Sequence, residues 1–259
     1  MKPSTLLTTP FLAVVLFCIA SCGDQDNKKS DDTAADSTAT TAATPNSTAS
    51  TIINTPQDMM VVRHKVADFN KFLAIYDAND SLRLANGVHS YVIGRGLKDS
   101  NTVQVTLKVD DINKAKAFAK NPSLKQAMQR SGVIGAPLIN FTTMTYQDTA
   151  TINSDLRSRT TFMVKDWDRW HRFVDSNITQ QRIFLPVDSS RQTRKDNGLV
   201  PRAYGHDVDD NHKVTYILAL TDTAKAYAYW KSDQLKKLQA ASGVASPAER
   251  FVYRVVKRY

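Results

Sequence analysis

Val66-Ala67-Asp68-Phe69-Asn70-Lys71-Phe72 returns 98 residues later as Val164-Lys165-Asp166-Trp167-Asp168-Arg169-Trp170. A valine, an aspartate and two aromatic residues three apart recur, and the changes at Asn70/Asp168 and Lys71/Arg169 keep their chemical type. Further along the agreement continues at an offset of 111: Gly94 with Gly205, Val103 with Val214, Asp111 with Asp222, Lys114–Phe118 with Lys225–Tyr229, and Ser131-Gly132-Val133 with Ser242-Gly243-Val244. Near the end the offset is 110, pairing Pro137 with Pro247 and Phe141 with Phe251. One insertion of 13 residues in the second half, placed at Ile178–Ser190, reconciles 98 with 111. Collinear agreement of this length reads as a tandem duplication.

Each copy reads as β-α-β-β-α-β. In the first, strand 59–66 precedes a helix over 68–85, where Phe69, Phe72, Leu73 and Tyr76 form an i, i+3, i+4, i+7 stripe that Gly87 closes. Strand 89–95 and a turn over Gly96–Asn101 lead to Val103, Val105, Leu107 and Val109 alternating with polar residues, the period of a half-buried strand. Asp111 starts a second helix, Gly132 ends it, and 138–146 is the closing strand. The second copy repeats this order over 160–165, 167–177, 200–207, 212–220, 222–241 and 249–257. Helices on one face of an antiparallel sheet in this order make an α+β fold, two tandem ferredoxin-like units spanning 58–150 and 157–259.

Two tandem plaits with an aromatic-rich first helix resemble the dimeric α+β-barrel superfamily, which includes the antibiotic-biosynthesis monooxygenase-like domains. The resemblance covers residues 58–259 and rests on element order and the repeat. It implies two plaits packed sheet against sheet as an intramolecular dimeric α+β barrel, hence a monomer with an internal pseudo-dimer, and a cleft between sheet and helices in each half. For activity it implies an Asn/Trp/His set in the cofactor-free and haem-degrading members. The first copy has no Trp, and the three residue types do not fall together at matching positions.

The 259 residues carry 34 Lys+Arg and 25 Asp+Glu, a net charge of +9. Residues 1–21 read as a signal peptide: Lys2 precedes the apolar run Phe11–Ile19, which is too short for a ~20-residue membrane span. Ile19-Ala20-Ser21-Cys22 resembles the bacterial lipobox, which implies cleavage before Cys22 and acylation of Cys22 by palmitate-type chains. Buried acyl chains contribute ~0.8 kcal/mol per CH₂, enough for several to hold a chain on a membrane. The expected place is the cell envelope, at the outer membrane, on its periplasmic or surface face. Cleavage would also remove Cys18, leaving no free thiol for redox or nucleophilic chemistry. Residues 22–57 are rich in Ser, Thr, Ala and Asp with no apolar periodicity before Ile52, the composition of a disordered tether.

Other classes are excluded by composition. Glu249 is the only glutamate, which removes the HExxH metalloprotease and a Glu-closed EF-hand loop. There is no P-loop and no G-x-S-x-G, and Gly94-x-Gly96 lacks the third glycine of a dinucleotide site. The tether carries −3 and residues 58–259 carry +11, but the basic residues are spread without an arginine-rich arm, so no nucleic-acid partner is expected.

Departures from the repeat mark the candidate site. Trp167, Trp170, His171 and Val174 share the inward stripe of the second copy's first helix, and His171 stands where the first copy has Leu73. An imidazole in an apolar stripe needs a partner: it is a ligand-contacting or proton-transferring group, or a core-edge histidine bonded to a carbonyl. The insertion contributes Phe184, on a lid or a longer surface loop. Contacts to a small anionic or aromatic ligand are therefore expected around Trp167, Trp170, His171 and Phe184. His64 shares a strand face with Met60, Val62 and Val66 and is matched by Phe162, so it reads as a packed core histidine. His206–His212 aligns with a hairpin loop and reads as a turn rather than a cation site. Gln104, Thr106, Lys108, Arg63, Lys65, Arg250 and Arg254 alternate with apolar rows, forming either a basic inter-sheet interior suited to a small anion or an exposed sheet face.

No nucleophile–base pair is visible, and the sequence requires no metal or cofactor. The expectation is a membrane-anchored envelope lipoprotein whose duplicated barrel binds a small ligand or a partner without catalysis. The alternative is a monooxygenase-like enzyme with its cleft in the second copy.

Overall fold

The computed structural model describes residues 50–175 and 191–259. The signal peptide, Cys22, the tether up to residue 49 and the segment 176–190 with Phe184 lie outside the described residues.

The recurring Val-x-Asp-aromatic stretch combines a strand end, a helix cap and a core ring. Strands β2 (Gln57–Val66) and β6 (Leu156–Met163) run into helices α1 (Phe69–Ala78) and α5 (Trp167–Asp175). Asp68 accepts from the Lys71 backbone N–H at 2.7 Å, and Asp166 from that of Arg169 at 2.6 Å. Such a cap stabilises a helix by ~0.5–2 kcal/mol. Phe72 and Trp170, one turn on, are buried in two separate apolar cores.

The first half continues with α2 (Asp80–Leu84), β3 (Val88–Gly96), β4 (Thr102–Val109), α3 (Ile112–Ala119), α4 (Pro122–Arg130) and β5 (Val133–Asp148). The second continues with α6 (Arg191–Asp196), β7 (Leu199–Asp207), β8 (Lys213–Leu220), α7 (Thr223–Lys231), α8 (Asp233–Ser242) and β9 (Glu249–Arg258). Three helices read as single from the sequence are each broken in two. Asn79 turns the chain between α1 and α2, Asn121 caps α4 with Pro122 in its first turn, and Ser232 caps α8. Inside the stretch expected to be tether, Ile52–Ile53 form a short β1 paired to the end of β5, because Ile52 packs on the second-half core.

All strands form one antiparallel sheet in the order β1-β5-β2-β4-β3-β9-β6-β8-β7, and β5 also pairs with β7. Eight strands thus close into a barrel. Within each half the order is fourth, first, third, second. The halves join edge to edge through β3–β9 and β5–β7, so the faces expected to pack against each other become the inside of the barrel. Each seam is tight at a glycine of the repeat. A Cβ at Gly94 would collide with the Tyr253 ring across one seam, and a Cβ at Gly205 with the Thr143 carbonyl across the other.

Loop hydrogen bonds recur as well. Val66 N–H donates to the Asn101 carbonyl and Val164 N–H to that of His212; Ala67 N–H donates to Gly132 and Lys165 N–H to Gly243. Asp110 N–H donates to Gly87 and Thr221 N–H to Gly198.

Candidate functional site

Each half holds a cavity between its sheet and its helices, and the two differ in chemistry. The first-half cavity, about 60 Å³, is walled by apolar side chains including Met60, Val62, Phe72, Val105, Leu107 and Phe118. Arg83 also reaches it but is fully engaged: it donates to Asp80 at 2.8 Å, to the Tyr76 carbonyl at 2.7 Å and to Ser90 at 3.1 Å. Its guanidinium lies 3.7 Å from the Tyr76 ring centroid. Asn79, Ser131 and His64 also line it, and His64 differs from them. It is buried, neither ring nitrogen has a partner among the described residues, and burial holds its pKa down to about 4. The imidazole is therefore neutral near pH ~7.

The second-half cavity, about 80 Å³, keeps an apolar frame that includes Phe162, Trp170, Val174, Leu199 and Trp230. Into this frame come Thr160 and Tyr216 from β6 and β8, Tyr229 from α7, Arg194 from α6 and Arg250 from β9. All five carry buried polar atoms without a hydrogen-bond partner among the described residues: Thr160 Oγ1, the Tyr216 and Tyr229 hydroxyls, Arg194 Nε and Nη2, and Arg250 Nε. Burial pushes both phenols up and the Arg250 guanidinium down from their ordinary pKa values. Arg194 lies 5.3 Å from the Tyr216 ring centroid and Arg250 5.2 Å from that of Trp230. No carboxylate among the described residues forms an ion pair with either arginine. A buried donor left unmade costs ~1–3 kcal/mol, more when charged. Two guanidinium groups and three hydroxyls therefore present donors to one apolar space.

Of the residues expected at the site, Trp170 lines this cavity. Trp167 and His171 sit beside it in a ring cluster: they stack at 5.3 Å with an interplanar angle of 7°, and His206 meets Trp167 edge-on at 4.7 Å. His171 also contacts Tyr204 at 5.6 Å. Phe184 lies outside the described residues.

Arg250 corrects the reading of the polar strand faces. It shares the helix-side face of β9 with Val252, whereas Tyr253 points into the barrel. Arg254 bonds Asp155 at the surface, and Lys65 pairs with Asp99 at 3.1 Å. The His206–His212 loop satisfies itself and its neighbours: Asp207 takes Lys213 at 3.2 Å and Asp209 takes Lys116 at 2.6 Å. Among the described residues no three His, Cys, Asp or Glu side chains are grouped to hold a metal ion.

The sequence reading missed Thr160, Tyr216, Tyr229 and Arg194, although a signal for three of them existed. At the repeat offsets, Thr160, Tyr216 and Tyr229 replace Val62, Val105 and Phe118, which are walls of the first cavity.

No protein-family model matches the chain, and no curated protein matches it. Solved structures do. An anthrone oxidase-like protein superposes with a TM-score of 0.50 at 12% identity, covering 80% of this chain and 94% of its own. A candidate monooxygenase from Lactobacillus acidophilus NCFM gives 0.49 at 10% identity over 77% and 93% of the two chains. A candidate chlorite dismutase gives 0.46 at 9% over 78% and 95%. At these identities the likeness concerns the fold alone, and the first of the three carries it. The chain is a mixed α+β protein with one large antiparallel sheet and, among the described residues, eight helices, and it matches the dimeric α+β-barrel fold.

Proposed function

We propose that the chain is a lipid-anchored envelope protein, attached through Cys22, whose two halves descend from one duplicated ferredoxin-like unit and whose second half binds a small organic anion with an apolar body. The recurrent cap, seam glycines and loop hydrogen bonds support the duplication. One observation carries the ligand: donors of Arg194, Arg250, Thr160, Tyr216 and Tyr229 that have no partner among the described residues converge on a cavity with an apolar frame. A carboxylate there would take charge-assisted hydrogen bonds from the guanidinium groups, and the Trp170 and Trp230 walls would take its hydrocarbon part. Binding needs no reacting group, so the reading is of a carrier or sensor rather than a catalyst.

Benzoate and butyrate are suitable probes, because both tryptophans in the wall report binding by fluorescence. Saturable quenching is expected with the unaltered protein, at least tenfold weakened in Arg250→Met and Arg194→Met. Quenching that does not saturate, or that both variants leave unchanged, overturns the reading.

A second reading is oxygen-dependent chemistry in the same half, favoured by the imidazoles of His171 and His206 that both pack against Trp167. It requires oxygen uptake with anthrone as substrate and its loss in His171→Ala.

A further inference from the structure

The inside of the barrel holds a second unneutralised set of cations, separate from the cavity just described. A space of about 100 Å³ lies between the two four-stranded faces. Arg157 and Arg159 enter it from β6, Arg202 from β7 and Arg258 from the end of β9. Arg157 and Arg159 are more than nine-tenths buried. Arg157 spends one nitrogen on the backbone carbonyls of Ser154 and Leu156, at 2.9 and 2.8 Å. The hydrogen bond of Arg159 is a long one, 3.4 Å to the Thr215 hydroxyl. Asp148 is the acid in the wall, and it stands 4.0 Å from Arg202. Four guanidinium groups thus face one carboxylate. Desolvation alone should drive like charges apart or out to water, yet strand alternation holds Arg157 and Arg159 inward on the same face of β6. Burial lowers both pKa values, that of Arg159 to about 10, so both remain cationic near pH ~7.

We propose that the barrel interior binds a small oxyanion between Arg157, Arg159 and Arg202. Planar guanidinium forks match the paired oxygens of phosphate or carboxylate, and the space suits an anion of a few heavy atoms. Tyr253 and Gln104 line the same space and supply polar edges.

Inorganic phosphate and malonate, each titrated at constant ionic strength against the purified full chain, distinguish the two oxyanion chemistries. At least one is expected to raise the unfolding temperature saturably, as ligand linkage requires, and calorimetry should show a single site. Arg159→Met should weaken that binding at least tenfold. Arg202→Gln, at a less buried position, should weaken it too, which keeps the test valid if the first variant fails to fold. Arg250→Met should leave it intact, so that failure of the sheet–helix site and failure of this one are told apart. A stabilisation that rises linearly with anion and is equal in all variants is a general salt effect and overturns the proposal, as does no response to either anion.

Discussion

His64 and Phe162 occupy the same position in the two halves. His64 stands opposite Val103 on β4, Phe162 stands opposite Val214 on β8, and each ring meets the aromatic residue one turn into the next helix, Phe72 at 5.1 Å and Trp170 at 5.6 Å. The first half therefore keeps two unpaired nitrogens where the second keeps only carbon.

His64→Phe should stabilise the protein by roughly 1–2 kcal/mol near pH ~7, since it removes a buried unsatisfied group and copies a ring the fold already accommodates. It should also flatten the pH dependence. Burial lowers the His64 pKa from 6.5 to about 4, so between these values the unfolded chain binds a proton that the folded chain refuses. The contribution to stability is full above the unfolded pKa and is lost as pH falls toward the folded one, by about 2 kcal/mol from pH ~7 to ~5. Urea unfolding at both pH values checks this; equal slopes in the variant and the parent would reject it.

Gly205→Ala should destabilise more than Gly94→Ala. The new methyl at 205 meets the Thr143 carbonyl and the Met144 Cα, which belong to a paired strand, whereas at 94 it meets the Tyr253 ring. Overpacking costs ~1–3 kcal/mol, and the upper end is expected where backbone must move. Thermal unfolding of the two variants ranks them, and the opposite ranking would show that the β3–β9 seam is the stiffer one.

Cys22→Ala should move the protein from the membrane to the soluble fraction, and intact mass should show acyl chains on the parent alone. A variant that stays with the membrane would exclude the lipid anchor.

Light scattering should report a monomer. Both outer strands of each half are already hydrogen-bonded, β3 to β9 and β5 to β7, so pairing with a second copy would have to break a seam. A stable dimer at micromolar concentration would contradict this.

Element order, the aspartate caps and the burial of Phe72 and Trp170 were legible because each has a local signature: alternation, a capping residue, an i, i+3 stripe. Pro122 and Ser232 were signals of helix breaks, passed over because Asp111 and Gly132 were read as the two ends of one helix and the second copy was read by analogy. The barrel was expected from the family resemblance, but the strand edges that close it were not legible, since strand pairing through backbone leaves no mark on side chains; Gly94 and Gly205 recur visibly, but their reason is a neighbour 159 and 62 residues away, Tyr253 and Thr143. The sidedness of Arg250 was hidden because strict alternation on one strand does not say which face meets helices. That His64 and Arg194 keep buried nitrogens without partners among the described residues depends on what surrounds them, and no single residue type encodes it.

The two seams also set an order of events in time. The outer edge of β3 has its partner in β9, whose residues 249–258 are synthesised about 150 residues after β3. Until they arrive, the first half carries an open row of backbone donors and acceptors, the most aggregation-prone condition of any sheet. Such long-range closure is also slow. Pulsed hydrogen exchange during refolding should therefore show the β3 amides that bond β9 gaining protection together with β9, after the rest of the first half. A holding chaperone that grips extended segments would be most useful to this protein in that interval, and of little use to it afterwards.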